Sequence, residues 1–147
     1  MATLTTTVQE SVTINGKSYG NTIEKTHSSI EQVYQQVVNV DTSVQELFGF
    51  AASEKAGDVA IDKAKYIRFT NLGANFVTIY FSSDSATGSV EDTAAFIIEA
   101  GCSMVITDDQ LGIGTAAGST TPIDMGTIIA KADTAAVKME IFIGLTA

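Results

Sequence analysis

The sequence predicts an all-β protein, an antiparallel β-sandwich or jelly roll of about eight strands with an extended N-terminal arm. Three observations carry this expectation. Short runs rich in Val, Ile, Thr, Phe and Tyr are separated by clusters of Gly, Asn, Asp and Ser, the residues that punctuate strands with turns. From Phe76 to Phe81, the residues Val77, Ile79 and Phe81 alternate with Phe76, Thr78 and Tyr80, the period of two of a strand. The same alternation returns late in the chain, where Val137, Met139, Ile141 and Ile143 interleave with Lys138, Glu140 and Phe142.

Taken in order, Ala2 to Val8 (ATLTTTV) is threonine-rich and uncharged. It reads as an arm over residues 1–10 that orders on assembly, ahead of a single sandwich domain over 11–147. Ser11 to Tyr19 holds Asn15-Gly16, which tolerates positive φ and suits a tight hairpin turn. The next segment has two readings. Ser28 with Glu31 fits a helix capping box, and Ile30, Val33, Val37 and Val38 fall at helical spacing. The β-branched content through Val40 and Val44 favours a strand. Ser53 to Lys65 reads as a short solvated helix or a polar loop. Tyr66 to Phe81 reads as a second hairpin that turns over Asn71 to Asn75. Further strands are expected at Ala94 to Glu99, Ser103 to Thr107, Thr127 to Ala132 and Ala136 to Leu145. The tetrapeptide DTAA occurs at Asp92 and again at Asp133, too short a match to make a repeat.

A chain of 147 residues is one domain's worth, enough to bury roughly 68–70% of its unfolded surface without staples. Only 17% of its residues are charged while 45% are hydrophobic. Soluble domains carry about 25% charged residues, so an unusual share of this surface is uncharged and suited to contact with partners. The formal charge is −9, and the eight Lys and Arg are scattered. Nucleic acid and anionic membrane both require clustered cations, so neither is an expected partner. No run approaches the roughly 18 apolar residues of a membrane helix. The opening MATLTTTVQE lacks the basic and apolar regions of a secretion signal, so general secretion is not expected. A single cysteine, Cys102, excludes an intrachain disulfide.

Candidate chemistry is sparse. His27 is the one histidine and lies in the polar stretch EKTHSS, which favours a surface or interface role over general acid–base catalysis. Cys102 lies between two apolar runs without a neighbouring base, as a buried structural cysteine would. Leu111 to Gly118 (LGIGTAAG) places Gly112, Gly114 and Ala117 in a formal dinucleotide fingerprint, yet Ser119 to Pro122 show no helical period to receive a pyrophosphate. Asp108, Asp109 and Asp124 flank that loop without the order of a calcium-binding loop. Glu54, Asp58 and Asp62 recur every four residues as a solvated face. Phe48, Phe50, Phe76, Phe81, Tyr66 and Tyr80 have the makings of a sugar-stacking platform, though aromatics in alternating strands are more often core. No catalytic, cofactor-binding or metal-binding residue is therefore assigned.

Three stretches carry a resemblance: YIRFTNLGANFVTIYF at Tyr66 to Phe81, AAFIIEAGCSMVI at Ala94 to Ile106, and IIAKADTAAVKMEIFI at Ile128 to Ile143. With NGKSYGNTIEKT at Asn15 to Thr26, they resemble small virion proteins encoded among the structural genes of tailed bacteriophages, including those of marine and cyanobacterial hosts. The shared positions are Arg68, Asn71, Asn75, Val77, Gly101 and Ala132 to Glu140. The resemblance implies a sandwich or jelly-roll subunit built into the virion, made in the host cytoplasm, with no catalytic residues. The leading expectation is a capsid decoration, or cement, protein that binds the major capsid protein as a homo-oligomer, a trimer at first guess. Two alternatives are a tail, neck or fibre-base component and, from another class, a carbohydrate-binding module for host-surface glycans.

Overall fold

The computed structural model describes residues 2–49, 63–83, 93–107, 112–113 and 123–147. Its strands are β1 (Ala2–Gln9), β2 (Val12–Ile14), β3 (Lys17–Tyr19), β4 (Thr22–Val40), β5 (Gln45–Gly49), β6 (Ala64–Asn71), β7 (Val77–Ser83), β8 (Thr93–Ile98), β9 (Ser103–Ile106), β10 (Gly112–Ile113), β11 (Ile123–Ala132) and β12 (Val137–Thr146). One sheet has the order β1-β4-β12-β6-β9, the other β10-β11-β7-β8 with β5 also on β11. Every pairing is antiparallel. Removing β1, β2, β3 and the two-residue β10 leaves eight principal strands in two interleaved sheets, β4-β12-β6-β9 and β5-β11-β7-β8. That is the jelly-roll strand order.

The core follows from the alternation. Ile67 and Phe69 of β6 with Met139, Ile141 and Ile143 of β12 face Val77, Ile79 and Phe81 of β7 and Ile128, Ala130 and Ala132 of β11, all buried. Phe69 and Phe81 meet across the interior at a centroid separation of 6.1 Å. The segment with two readings, from Ser28 to Val40, is strand, the greater part of the 19-residue β4. Its valines at 33 and 37 point outward while Val40 is fully buried, a period of two rather than 3.6.

Tyr66 to Phe81 is not a hairpin. β6 and β7 belong to different sheets, and the turn at Asn71 to Phe76 crosses the sandwich. Three other links, 41–44, 99–102 and 133–136, also pass from sheet to sheet. Register puts all four at one end, because Val137 pairs with Val40, Met139 with Asn71 and Thr70 with Ser103.

Asn71 ties these crossings together. It is fully buried, and its side-chain amide donates to the carbonyls of Asn75 (2.8 Å) and Ile98 (3.0 Å). Its Oδ1 accepts from the Gly73 N–H at 2.9 Å. Its backbone N–H donates to the Cys102 carbonyl, and its own carbonyl accepts from Gly101 N–H. Neighbouring bonds complete the end: Leu72 N–H to Lys138 O, Asp133 N–H to Phe76 O and Ala132 N–H to Asp41 O. A buried polar group left unpaired costs about 1–3 kcal/mol, so one amide here offsets several such penalties.

Substitution at Asn71 is accordingly expected to be severe. Asn71→Ala strands two carbonyls and one N–H and lowers unfolding free energy by roughly 3 kcal/mol or more, read by urea denaturation. Asn71→Asp does not rescue it, because a carboxylate keeps the acceptor for Gly73 but donates to neither carbonyl.

Candidate functional site

The segment expected to be an arm over residues 1–10 is one leg of a long hairpin. β1 pairs with the first half of β4 from Leu4↔His27 to Gln9↔Thr22, and β2 pairs with β3 from Val12↔Tyr19 to Ile14↔Lys17. The residue numbers of each pair total 31, and Glu10 N–H bonds the Asn21 carbonyl between the two ladders at 2.8 Å. This is one continuous register closing at Asn15-Gly16, whose φ values of 51° and 78° are those of the expected tight turn.

Parity gives the hairpin two unlike faces. One carries Thr5, Thr7, Thr13, Ser18, Thr22, Glu24 and Thr26. The other carries Leu4, Thr6, Val8, Glu10, Val12 and Ile14 opposite His27, Lys25, Ile23, Asn21, Tyr19 and Lys17, with its apolar residues at Val8, Val12, Ile14, Tyr19 and Ile23. The base of this second face folds onto the outer surface of the first sheet. A register irregularity at Ser28 to Glu31, with Ser29 at φ 63°, turns Ile30 onto that surface. There Ile30 and Leu4 close over Gly144 and Tyr66: a β-carbon at position 144 would lie 3.2 Å from Leu4 Cδ2, 3.6 Å from Tyr66 Cβ and 3.7 Å from Ile30 Cδ1. Lys25 Nζ, on the same hairpin face, donates to the Thr107 carbonyl at 2.9 Å, which holds the hairpin over the end of β9.

Beyond this seat the hairpin stands free of the body. Residues 7–24 are all exposed, and Val8, Val12, Ile14, Tyr19 and Ile23 keep 50–60% of their surface in water. Smaller apolar patches lie at Val33 and Val37 on the outer face of the first sheet and at Phe96 and Ile97 on β8. Between β8 and β9 runs an open groove of about 390 Å³, lined by Phe96, Ile97, Ile98, Glu99, Cys102, Ser103 and Met104.

The outer face of the first sheet also carries a polar network. Arg68 meets Glu140 at 2.7 Å and lies over the Phe142 ring, 5.5 Å from its centroid. Gln35 Nε2 donates to the other oxygen of Glu140 at 2.7 Å. The Gln35 hydrogen bond first, then the Arg68 bond and charge, outweigh partial desolvation and hold the Glu140 carboxyl below the usual carboxylate range.

The residues singled out from sequence do not converge. His27 is buried, not on the surface, because the hairpin base folds its face inward against the sheet. Cys102 is exposed, not a buried structural residue, because it sits in the 99–102 crossing at the rim of the groove. Of the fingerprint loop, Gly112 and Ile113 form β10, paired with Asp124 and Ile123. Gly114, Ala117, Asp108 and Asp109 lie outside the described residues, as do Phe50, Glu54, Asp58 and Asp62. Among the aromatics, Phe81 and Tyr66 are buried and Phe48 packs against the core, while Tyr80 is half-buried and Phe76 exposed. No three His, Cys, Asp or Glu side chains among the described residues gather as a metal site would require. The apolar hairpin face went unnoticed in the sequence, although it is signalled by apolar pairs placed symmetrically about Asn15-Gly16, Val12 with Tyr19 and Val8 with Ile23.

No protein-family model, no curated protein and no solved structure matches the chain.

Two outcomes follow from this surface. Gly144→Val drives a side chain into Leu4 and Ile30. At an overpacking cost of about 1–3 kcal/mol confined to the seat, amides of β1 and of residues 22–30 exchange roughly tenfold faster or more while β7 and β12 keep their protection. Glu140 sets a pH dependence. A carboxyl lowered in the folded state stabilises above its unfolded pKa of about 4.3 and loses that contribution as pH falls through the folded value. The stability difference between the native chain and Glu140→Gln is therefore present at pH 7, vanishes in acid and stays within about 1 kcal/mol, since the pair is partly exposed.

Proposed function

We propose that this chain is a non-enzymatic structural protein of a virion, most specifically a capsid decoration protein that binds the major capsid protein. The observation that carries the reading is the projecting hairpin, whose apolar face is left in water by the chain's own fold. An exposed apolar face of this kind marks an interaction surface. The jelly roll supports the class by analogy alone, since it also serves lectins and cupins. The sequence resemblance to small phage virion proteins narrows it.

The energetics favour many weak joints over one strong joint. Five half-exposed side chains are on the scale of the largest apolar patch of a monomer, roughly 300–600 Å². At about 25 cal/mol per Å² their burial returns roughly 10 kcal/mol before costs. Association itself costs about 4–15 kcal/mol, so a single contact is marginal. A protein that coats a shell in many linked copies turns such contacts into a stable cover. A low-charge, acidic surface suits a position away from the packaged genome.

Quantitative mass spectrometry of purified particles, followed by particle imaging, tests this. Hundreds of copies over the shell are expected. A dozen or fewer at one vertex transfers the protein to the neck, tail or fibre base, and absence from particles removes the virion reading.

A further inference from the structure

We propose that the hairpin from Val8 to Ile23 of one copy seats in the groove between β8 and β9 of a second copy, so that the chain assembles through its own hairpin. The contact deepens the assembly reading above and rests on it for its biological role.

The groove is the open flank of the jelly roll. β8 ends one sheet and β9 ends the other, so between them the interior is reached through Phe96, Ile98 and Met104. Among the described residues, each end strand also turns an unpaired row of backbone groups outward, the arrangement that accepts an added strand. A two-stranded ribbon with one apolar face brings both complements: side chains for the groove and a strand for the edge. The hairpin leaves its own body on this flank, since the Lys25 to Thr107 contact holds its base at the end of β9.

Charge selects a second copy as the occupant. Lys17 balances Glu10 within the hairpin from Val8 to Ile23, and Lys25 balances Glu24 just beyond it, so the formal charge of −9 resides wholly outside it. Two bodies of that charge repel, and a contact between them is best made through the neutral segment. Lys17 shares the apolar face with Ile14, its cross-strand partner, and Glu99 stands at the groove. Near its tip the hairpin therefore offers a cation and apolar side chains, with Glu10 further back on the same face, to a groove that offers an anion and apolar walls.

Size sets the form of assembly. Hairpin or groove alone is smaller than the roughly 20–30 residues a side of a stable interface. A closed arrangement, in which every copy gives one hairpin and receives another, brings both surfaces into use on each subunit.

The native Cys102 at the groove provides the test. Untagged native protein is mixed with a tagged Tyr19→Cys, Cys102→Ser variant, and disulfides are formed under mild oxidation. The mixed hairpin-to-groove product is expected to exceed either symmetrical product by about tenfold or more, as a preformed contact raises effective concentration. Mixed and symmetrical products in random proportion would overturn the proposal. Light scattering on the native protein is expected to give an oligomer that the Val12→Asp, Ile14→Asp double variant reduces to monomer. A monomeric native protein, or an unchanged oligomer in a variant that retains its β-type circular dichroism, would also overturn it. The readings fail separately: particles that contain the protein without this cross-link sink the contact alone, and the cross-link in a protein absent from particles sinks the virion role alone.

Discussion

A single buried amide, that of Asn71, joins two of the crossings that link the interleaved sheets. Each of the four crossings at one end must turn the backbone through the rim of the core, where water does not satisfy every carbonyl and N–H. Asn71 bridges two of them, taking the Asn75 and Ile98 carbonyls with its nitrogen and the Gly73 N–H with its oxygen. Its main chain binds Cys102 and Gly101. Only an amide offers donors and an acceptor on one short side chain, so neither aspartate nor leucine fits. The packing of Phe69 on Phe81 and of Ile141 and Ile143 on the second sheet presupposes that these crossings are made.

A second economy lies in β4, one strand with two duties. Its C-terminal half pairs with β12 inside the jelly roll, and its N-terminal half pairs with β1 in the hairpin. The irregularity at Ser28 to Glu31 separates the two by changing which face is presented. A hairpin that grows out of a core strand keeps a defined direction, which a loose arm would not. Gly144 lets the hairpin base approach the sheet closely enough for Leu4 and Ile30 to cover Tyr66. The result is an apolar surface displayed at a fixed place, the physical basis for reading the protein as one that works by contact.

Much of this was legible along the chain. Period-two alternation marked β7 and β12, and β-branched content marked β4 as strand against a plausible helical spacing. Asn15-Gly16 marked the first turn. The sheet-to-sheet crossing at Asn71 to Phe76 was read as a hairpin because alternation on either side of a short turn is identical in both arrangements. His27 and Cys102 were misplaced for a related reason: their local neighbourhoods are polar and apolar respectively, while their burial depends on a hairpin and a crossing formed by distant residues.

The sequence by itself thus determined the all-β class, most strand positions, the tight turn and an acidic, charge-poor surface, because these depend on side-chain chemistry within a few residues. Only the tertiary structure decided which strands share a sheet, that Asn71 is the common partner of separate crossings, and that one hairpin face is half seated and half displayed. Those outcomes rest on pairings between residues far apart in the chain, such as Lys25 with Thr107 and Asn71 with Ile98, which no local pattern encodes.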